Sequence, residues 1–392
     1  MLSIIHVTDC FLPRLGGIEV QVAGLARAQQ KAGEDVHVVT ATRLASAPPN
    51  AGYTVHEVSM RLPWDLPVHP RAATHLDRIF RELAPEVVQV HVGAVSPFAW
   101  SAVRRAVRLN LPTVVVVHSM WDPAVQRVYG LLDRLTQWRE APLVLGAVST
   151  AAARRMRADD VVVVPNGIEP AEWRRWPRGE HDDVHVVAVG RLASRKRPMA
   201  LLGILEQVRR RGVRIRVSIA GDGPARSAME RYLKRHGMDW VRLVGRLDRE
   251  GVGRLLASAD IFVNPTADEA FGLAALEART AGVPVVARTG TGATEFVRDG
   301  QEGLLCGSDA EMVDALVRLA SDNEERIRIA EHNLSTEPEH CTWPDVLATM
   351  RMCRTRAQGG NAAETIVPVP WKSDSPVNDR IQRAERTGPL DS

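Results

Sequence analysis

The run from Asp260 to Ala287 constrains the fold of this 392-residue chain more than any other stretch. A short apolar strand pattern, Asp260–Val263, leads into an acidic loop rich in small residues, and then into a helical pattern that ends near Thr280-Ala-Gly282. A second apolar run, Val283–Ala287, follows directly. Strand, loop, helix and strand in this order predict a βαβ unit, in which ligands meet the carboxyl ends of the parallel strands.

The same alternation of apolar strands and helical patterns runs through both halves of the chain. The strands predicted in the first half are Leu2–Thr8, Asp35–Thr40, Val55–Val58, Glu86–His91, Thr113–His118, Leu143–Ser149 and Val161–Val164. Those predicted in the second half are Val184–Val189, Arg214–Ala220, Trp240–Val244, Ile261–Val263 and Val283–Ala287, which complete the second sheet. Thr113–His118 is nearly all valine, which suits a strand that is covered on both faces. We therefore expect an α/β fold of two tandem Rossmann-like domains, each a doubly wound parallel sheet.

The turn Pro165-Asn-Gly-Ile-Glu169 and the unpatterned, Trp- and Pro-rich segment after it predict a linker between the two domains. A last amphipathic helix is predicted at Trp343–Arg356, and the Gly-, Pro- and Ser-rich remainder is expected to be disordered. The expected parts are an N-terminal domain (1–168), a linker (169–183), a C-terminal domain (184–341), a final helix (342–356) and a tail (357–392).

Composition excludes several classes of protein. Apolar residues make up 45% and charged residues 25% of the chain, as in ordinary globular proteins. A net charge of +3 and an aromatic content of 5% argue against nucleic-acid binding. The four cysteines lack both CxxC spacing and companion histidines, which favours a reducing cytoplasm over a disulfide or zinc framework. The sequence has no signal-peptide pattern and no apolar run of roughly 20 residues, so we expect a cytoplasmic protein.

Two loops could approach phosphate groups. Gly16 and Gly17 follow the first strand, where small residues and a helix N-terminus allow a phosphate to come close. Their spacing is not that of a dinucleotide fingerprint, and a tight turn is the plainer interpretation. Arg191 and Lys196 lie between the strand Val184–Val189 and a helix that begins at Pro198, where they could converge on a pyrophosphate. The alternative for this second loop is a solvated basic segment.

Three further side chains are candidates for chemistry. Glu269 and Glu277 flank a helix start, and two such carboxylates could serve a glycosidase, which requires them about 5–10 Å apart. Eight helical residues would separate them by about 12 Å, so hydrogen bonding to ligand hydroxyls is the better hypothesis. Two surface carboxylates remain the alternative. His118 ends a central strand, where it could be either functional or structural. Neither an Asp-x-Asp pair nor a His/carboxylate cluster is present in the sequence, so no obligatory metal is expected.

Together these motifs resemble the GT-B retaining glycosyltransferases of family 4, over about residues 1–356. The resemblance rests on the Gly16-Gly17 loop, His118, Pro165-Asn-Gly-Ile-Glu169, Gly190-Arg191 with Lys196, Gly221-Asp-Gly-Pro224, Glu269-Ala-Phe-Gly-Leu-x4-Glu277, Ala281-Gly-Val-Pro-Val-Val286 and Asp299-Gly-Gln-Glu-Gly-Leu-Leu305. It is strongest over the second half, where the two glutamates and their surroundings are specific. It implies a donor site on the C-terminal domain, an acceptor site on the N-terminal domain, and a final helix that crosses back.

The resemblance also implies a role for each matching residue. Arg191 and Lys196 would neutralise the donor diphosphate, assisted by backbone N–H groups of Gly16 and Gly17. Glu269 would hold the transferred sugar and His118 would hydrogen-bond it near the reaction centre, both as catalytic residues. The other donor contacts implied are Ala270, Phe271, Gly272, Leu273, Glu277 on the ribose, and the backbone of Arg246 and Leu247 near the base. Acceptor contacts expected from their position at strand ends are Asp9, Glu19, Ser119 and Asp122.

The implied activity is transfer of a hexosyl unit, of the mannose, glucose or N-acetylglucosamine type, from a nucleotide-diphosphate sugar to a hydroxyl acceptor with retention of configuration. The acceptor could be lipid-linked, in cell-envelope glycolipid, polysaccharide or glycoside synthesis. No cofactor and no nucleic-acid partner are expected. Peripheral membrane contact is open, since Arg104, Arg105 and Arg108 could meet anionic lipid or form a solvated face. A nucleotide-sugar epimerase of the same fold and a non-catalytic sugar-nucleotide-binding protein are the alternatives.

Overall fold

A computed structural model describes residues 2–14, 16–44, 52–60, 69–136, 143–156, 158, 160–177, 179 and 183–359. The predicted tail lies almost entirely outside these residues, and the predicted linker lies partly outside them. The described residues form two parallel sheets, one of seven strands and one of six, with helices packed on them. The expected fold class, two Rossmann-like α/β domains, is therefore confirmed.

The first sheet has the strand order β3-β2-β1-β4-β5-β6-β7. Its strands are β1 (Ser3–Thr8), β2 (Asp35–Thr40), β3 (Thr54–Glu57), β4 (Val87–Val92), β5 (Thr113–Val117), β6 (Val144–Ala147) and β7 (Val162–Val163). The helices are α1 (Gly17–Lys31), α2 (Ala72–Leu83), α3 (Pro97–Arg108), α4 (Pro123–Thr136), α5 (Thr150–Met156) and α6 (Pro170–Arg174). Every residue of β4 and β5 is buried, as their valine-rich sequences predict for central strands.

The second sheet has the strand order β10-β9-β8-β11-β12-β13. Its strands are β8 (Val184–Val189), β9 (Ile215–Ala220), β10 (Val241–Gly245), β11 (Ile261–Asn264), β12 (Val285–Arg288) and β13 (Gly303–Cys306). The helices are α7 (Pro198–Arg210), α8 (Arg226–Arg235), α9 (Arg249–Ala257), α10 (Leu273–Thr280), α11 (Asp309–Ser321), α12 (Asn323–Ser335) and α13 (Trp343–Ala357). In both sheets the chain reverses its direction of winding beside the first strand, at β1/β4 and at β8/β11.

The structure corrects the predicted elements in three places. The second sheet does not end at β12, because β13 pairs with it from Gly303 to Cys306. The helix α5 separates β6 from β7, and α6 lies inside the segment predicted to be an unpatterned linker. These elements have four to seven residues, and so they are too short to display a hydrophobic period. Tertiary contacts stabilise them instead: the α6 residue Trp173, for example, is 3% exposed.

The final helix, α13, returns to the first domain and packs against α1, β5 and β6. Its first residue, Trp343, lies against two glycines: a Cβ added to Gly24 or Gly167 would lie 2.4 or 2.2 Å from the indole ring. Near its other end, Arg354 forms an ion pair with Glu34 at 3.2 Å. These contacts place α13 across the linker and bring Trp343 next to the carboxyl end of β5. No helix within the described ranges combines the length and apolar character that crossing a bilayer requires.

Candidate functional site

The site is built where winding reverses in the two sheets, since loops that leave β1, β8 and β11 in opposite directions open a crevice there. The loop after β1 carries Gly16 and Gly17, and the loop after β8 carries Arg191 and Lys196. The loop after β11 carries Glu269. The topology therefore brings two of the predicted donor loops, which are far apart in sequence, to the same edge of the second sheet.

Lys196 and Glu269 meet directly at this edge. The ammonium Nζ of Lys196 donates to Oε2 of Glu269 at 2.5 Å, and Nδ2 of Asn264 donates to the same oxygen at 3.3 Å. Both side chains are largely covered, with 24% and 13% of the Lys196 and Glu269 side chains exposed. An ion pair shielded from water is stronger than an exposed one, so the two groups hold each other in place.

The neighbouring Arg197 anchors the Lys196 loop to the sheet. Arg197 has a left-handed backbone with φ of 54°. Its guanidinium donates two 2.8 Å hydrogen bonds to the carboxylate of Asp309 and one of 3.0 Å to the carbonyl of Pro265. A bidentate pair of this kind has a defined orientation. Lys196 is thus presented by a rigid turn.

The start of α10 forms the floor beside Glu269. Gly272 is its N-cap with φ of 93°, a conformation that suits glycine and leaves the first N–H groups of the helix uncovered by a side chain. Ala270 and Phe271 before it are buried, and Leu273 after it is partly buried. Ser149, at the end of β6 in the first domain, donates its hydroxyl to the carbonyl of Ala270 at 2.5 Å. The first domain therefore holds the donor loop of the second.

Glu277 lies further along α10 and is partly buried. Burial raises its pKa to about 8, while the positive charge of Arg249 acts in the opposite direction. Among the described residues, its carboxyl oxygens have no hydrogen-bond partner. At neutral pH this group is therefore mostly protonated and ready to exchange hydrogen bonds with hydroxyl groups.

His118 follows β5 and is partly buried at the edge of the first sheet. Its Nε2 lies 3.0 Å from Nδ1 of His91, and its ring also has a side-chain hydrogen bond with Asn166 of the linker. Burial lowers the pKa of His118 to about 4, so the imidazole is neutral at physiological pH. His118, Asn166 and Trp343 also line a small cavity beneath the linker.

The phosphate-approach loop of the first domain has an unexpected neighbour. A Cβ added to Gly16 would lie 2.3 Å from Oε2 of Glu19, whereas one added to Gly17 would meet no atom within 4 Å. The Glu19 carboxyl, predicted to contact an acceptor, thus packs over Gly16 at the N-terminus of α1. Burial raises its pKa. A phosphate can reach Gly16 only if this carboxyl moves aside, because two anions repel at that distance.

The other predicted acceptor residues differ in their contacts. Asp9 caps α3, accepting from the N–H groups of Phe98 and Ala99 at 3.0 and 3.3 Å, and burial raises its pKa to about 6. Asp122 caps α4 by accepting from two N–H groups at 2.9 Å. The hydroxyl of Ser119 is buried without a hydrogen-bond partner among the described residues. Both aspartates therefore have structural roles, while Ser119 keeps an unused hydroxyl.

The residues predicted around the nucleotide lie on exposed loops. Arg191 and Arg246 are exposed, and Leu247 is partly buried. Beneath Arg191, the loop after β9 packs closely on the loop after β8: a Cβ on Gly221, whose φ is 137°, would lie 1.9 Å from the carbonyl oxygen of Gly190. Gly221 was interpreted as a turn residue, and the structure adds that it makes room for the Arg191 loop.

Sequence reasoning missed Ser149 and the polar residues His6, Gln29 and His91 behind His118. A signal for two of them was available, because His6 and His91 are polar residues within strands that are otherwise apolar and buried. Among the described residues, no group of three His, Cys, Asp or Glu side chains is arranged to hold a metal ion. Independence from metal stays a prediction.

Two family models match the chain. One for "Glycosyltransferase Family 4" matches residues 15–172, and one for "Glycosyl transferases group 1" matches residues 183–322. The first covers most of the first sheet and the second covers the whole second sheet. The two halves of the molecule therefore match the two halves of one enzyme family.

Known proteins agree with these matches. A human protein of the phosphatidylinositol N-acetylglucosaminyltransferase is 27% identical over 299 residues, covering 72% of this chain and 61% of the human protein. The alpha-D-kanosaminyltransferase of Streptomyces kanamyceticus is 32% identical over 157 residues, 39% of this chain and 41% of that protein. The chain thus spans less than two thirds of the length of these two relatives.

Among solved structures, Anabaena Alr3699/HepE in complex with UDP and glucose superposes with a TM-score of 0.73 at 16% identity, covering 90% of this chain and 98% of that one. At this identity the likeness shows the fold, which is GT-B. With both domains matched by sequence models and the fold matched by structure, the chain belongs to the family 4 (group 1) glycosyltransferases.

Proposed function

We propose that this protein transfers a hexosyl unit from a nucleotide-diphosphate sugar to a hydroxyl acceptor. The observation that carries the proposal is the shielded pair of Lys196 and Glu269 beside the open N-terminus of α10. A cation, a carboxylate and free N–H groups at one sheet edge match the parts of such a donor. The diphosphate is an anion, and the sugar presents hydroxyl donors.

On binding, the Lys196–Glu269 ion pair would be exchanged for two ligand contacts. Lys196 would turn to the diphosphate with Arg191, and Glu269 would accept from the sugar hydroxyls. Glu277, further along the same helix, would accept from the ribose. UDP is the first nucleotide to test, because the HepE structure was solved with UDP and glucose.

We propose a front-face reaction that retains the anomeric configuration. The bond from the anomeric carbon to the phosphate oxygen breaks as the bond to the acceptor oxygen forms, and the leaving phosphate accepts the acceptor's proton. Lys196 and Arg191 would stabilise the charge that develops on the phosphate. No protein nucleophile is required, and no metal ion takes part in these steps. His118, across the cleft, would orient the sugar.

A hydroxyl acceptor on the first domain completes the proposal, and it could be lipid-linked. The acceptor would bind near Ser119, whose hydroxyl lacks a partner among the described residues. Of the three arginines that could meet anionic lipid, Arg105 is already paired with Asp77 of α2. Peripheral membrane contact would therefore depend on Arg104 and Arg108.

The test is donor binding by Lys196→Ala and Glu269→Ala, measured by calorimetry with UDP-glucose and with UDP. Loss of a charged hydrogen bond costs about 1.5–3 kcal/mol, which corresponds to roughly 10- to 100-fold in affinity. Lys196→Ala should weaken both ligands, whereas Glu269→Ala should weaken UDP-glucose and spare UDP. Arg211→Ala, which breaks a surface ion pair with Asp314 in the same domain, is the matched control.

Unchanged affinity in both site variants would overturn the assignment. Binding of no nucleotide among UDP, GDP and ADP in a thermal-shift screen would favour the non-catalytic alternative. Conversion of the donor to its epimer without any acceptor would favour the epimerase.

A further inference from the structure

Behind His118 runs a line of hydrogen-bonded polar side chains, here named the histidine chain: Gln29, His6, His91 and His118. Oε1 of Gln29 lies 2.7 Å from Nε2 of His6, and Nδ1 of His6 lies 3.0 Å from Nε2 of His91. Nδ1 of His91 lies 3.0 Å from Nε2 of His118. The first three residues are at most 2% exposed. The chain thus connects the interior of the first domain to the candidate site.

Strand pairing brings these histidines to one face of the sheet. His6 of β1 pairs with Gln89 of β4, and His91 lies two residues further on. His91 pairs with Val116 of β5, and His118 again lies two residues further on. Because side chains alternate along a strand, each of these steps keeps the same face. Gln29 of α1 covers that face and meets His6 there.

The bonds in the chain determine where each proton lies. An amide oxygen only accepts, so Nε2 of His6 must donate to Gln29. A neutral imidazole carries one N–H, so Nδ1 of His6 must accept from Nε2–H of His91. By the same reasoning, Nδ1 of His91 accepts from Nε2–H of His118. Gln29 itself is oriented by its amide nitrogen, which donates to Oε1 of Gln89 at 3.4 Å.

We propose that Gln29, His6 and His91 are positioning residues for the transfer reaction, holding His118 as the Nε2–H tautomer with the lone pair of Nδ1 toward its remaining partners. In this state His118 accepts a hydrogen bond, from Asn166 or from a ligand hydroxyl, and does not donate one to a sugar oxygen. The functional part of this inference rests on the proposed function, because it assigns His118 to the transfer site. The tautomer itself does not depend on it.

The chain is cooperative, which makes the inference testable at a distance. Every histidine in it must carry its proton on the same ring nitrogen, or one N···N contact loses its hydrogen. Removing the acceptor at the far end, in Gln29→Met, takes away the bond that selects Nε2. The tautomer of His118 should then change although the substitution lies two histidines away.

The experiment is a long-range ¹⁵N–¹H NMR spectrum of the histidine rings, recorded on the full chain with ¹⁵N-labelled histidine and assigned with His118→Asn. We expect His118 to be Nε2–H in the wild type and a mixture of tautomers in Gln29→Met. In parallel, Gln29→Met should lower kcat by roughly 10-fold while the donor KM stays within about twofold, since orientation is lost and binding is kept. The control is His37→Gln, which breaks a similar 3.0 Å contact with His56 in the same sheet but outside the chain.

An Nδ1–H or mixed tautomer at His118 in the wild type would overturn the inference without any variant. So would a His118 tautomer that Gln29→Met leaves unchanged. A shift caused equally by His37→Gln would show a general structural effect, and would also overturn it. Absence of transfer with every nucleotide sugar would instead count against the proposed function, because the NMR result stands by itself.

Discussion

Replacing Glu277 by glutamine should make this protein more resistant to unfolding at alkaline pH. Burial raises the pKa of Glu277 from 4.5 to about 8. The folded chain therefore keeps this proton over a pH range in which the unfolded chain has already lost it. Because the folded state binds more protons between those two pKa values, the free energy of unfolding falls as the pH rises through that range.

The size of the effect follows from the shift. One pKa unit corresponds to about 1.4 kcal/mol, so ionising Glu277 costs the folded state up to about 4 kcal/mol above pH 8 and almost nothing below pH 4.5. Glutamine has a similar shape and no charge, and among the described residues the carboxyl has no hydrogen bond to lose. The stability difference between Glu277→Gln and the wild type should therefore widen by about 3–4 kcal/mol from pH 5 to pH 8.5.

The assay is urea unfolding followed by circular dichroism at several pH values between 5 and 8.5, for the wild type and Glu277→Gln. Glu331→Gln removes an exposed carboxylate on α12 and serves as the control, whose difference from the wild type should stay within about 0.5 kcal/mol. The reasoning is refuted if the Glu277→Gln difference stays constant with pH, or if the variant loses stability as the pH rises.

Two further predictions concern the donor site and the linker. Donor binding at pH 7 should release close to one proton, because ribose hydroxyls favour the ionised form of Glu277; calorimetry in two buffers of different ionisation enthalpy measures this, and equal release by Glu277→Gln would contradict it. Gly167→Ala places a Cβ 2.2 Å from the ring of Trp343, so it should cost about 1–3 kcal/mol of stability and lower turnover more than donor affinity. Adding Trp343→Leu to Gly167→Ala should restore part of the melting temperature, and a double variant no more stable than Gly167→Ala would show that the steric clash is not the cause.

Much of the fold could be predicted from local pattern. The valine-rich run of β5 and the periodic helix α1 were located to within a residue or two, because burial on both faces and a clear helical period leave strong signals in sequence. The short elements α5, α6 and β13 were missed, because they form through packing against elements distant in the chain. The small residues around Gly272 and the charges of Lys196 and Glu269 also indicated a donor loop.

The sequence by itself thus determined the two-domain α/β architecture, the family and the loops that carry the candidate site, since each depends on residues close together in the chain. Only the tertiary structure paired Lys196 with Glu269, 73 residues apart. Only strand register joined His6, His91 and His118, because parity along one strand does not say which strand lies beside it. Burial, a property of the whole fold, then set the proton on Glu277 and the neutral state of His118.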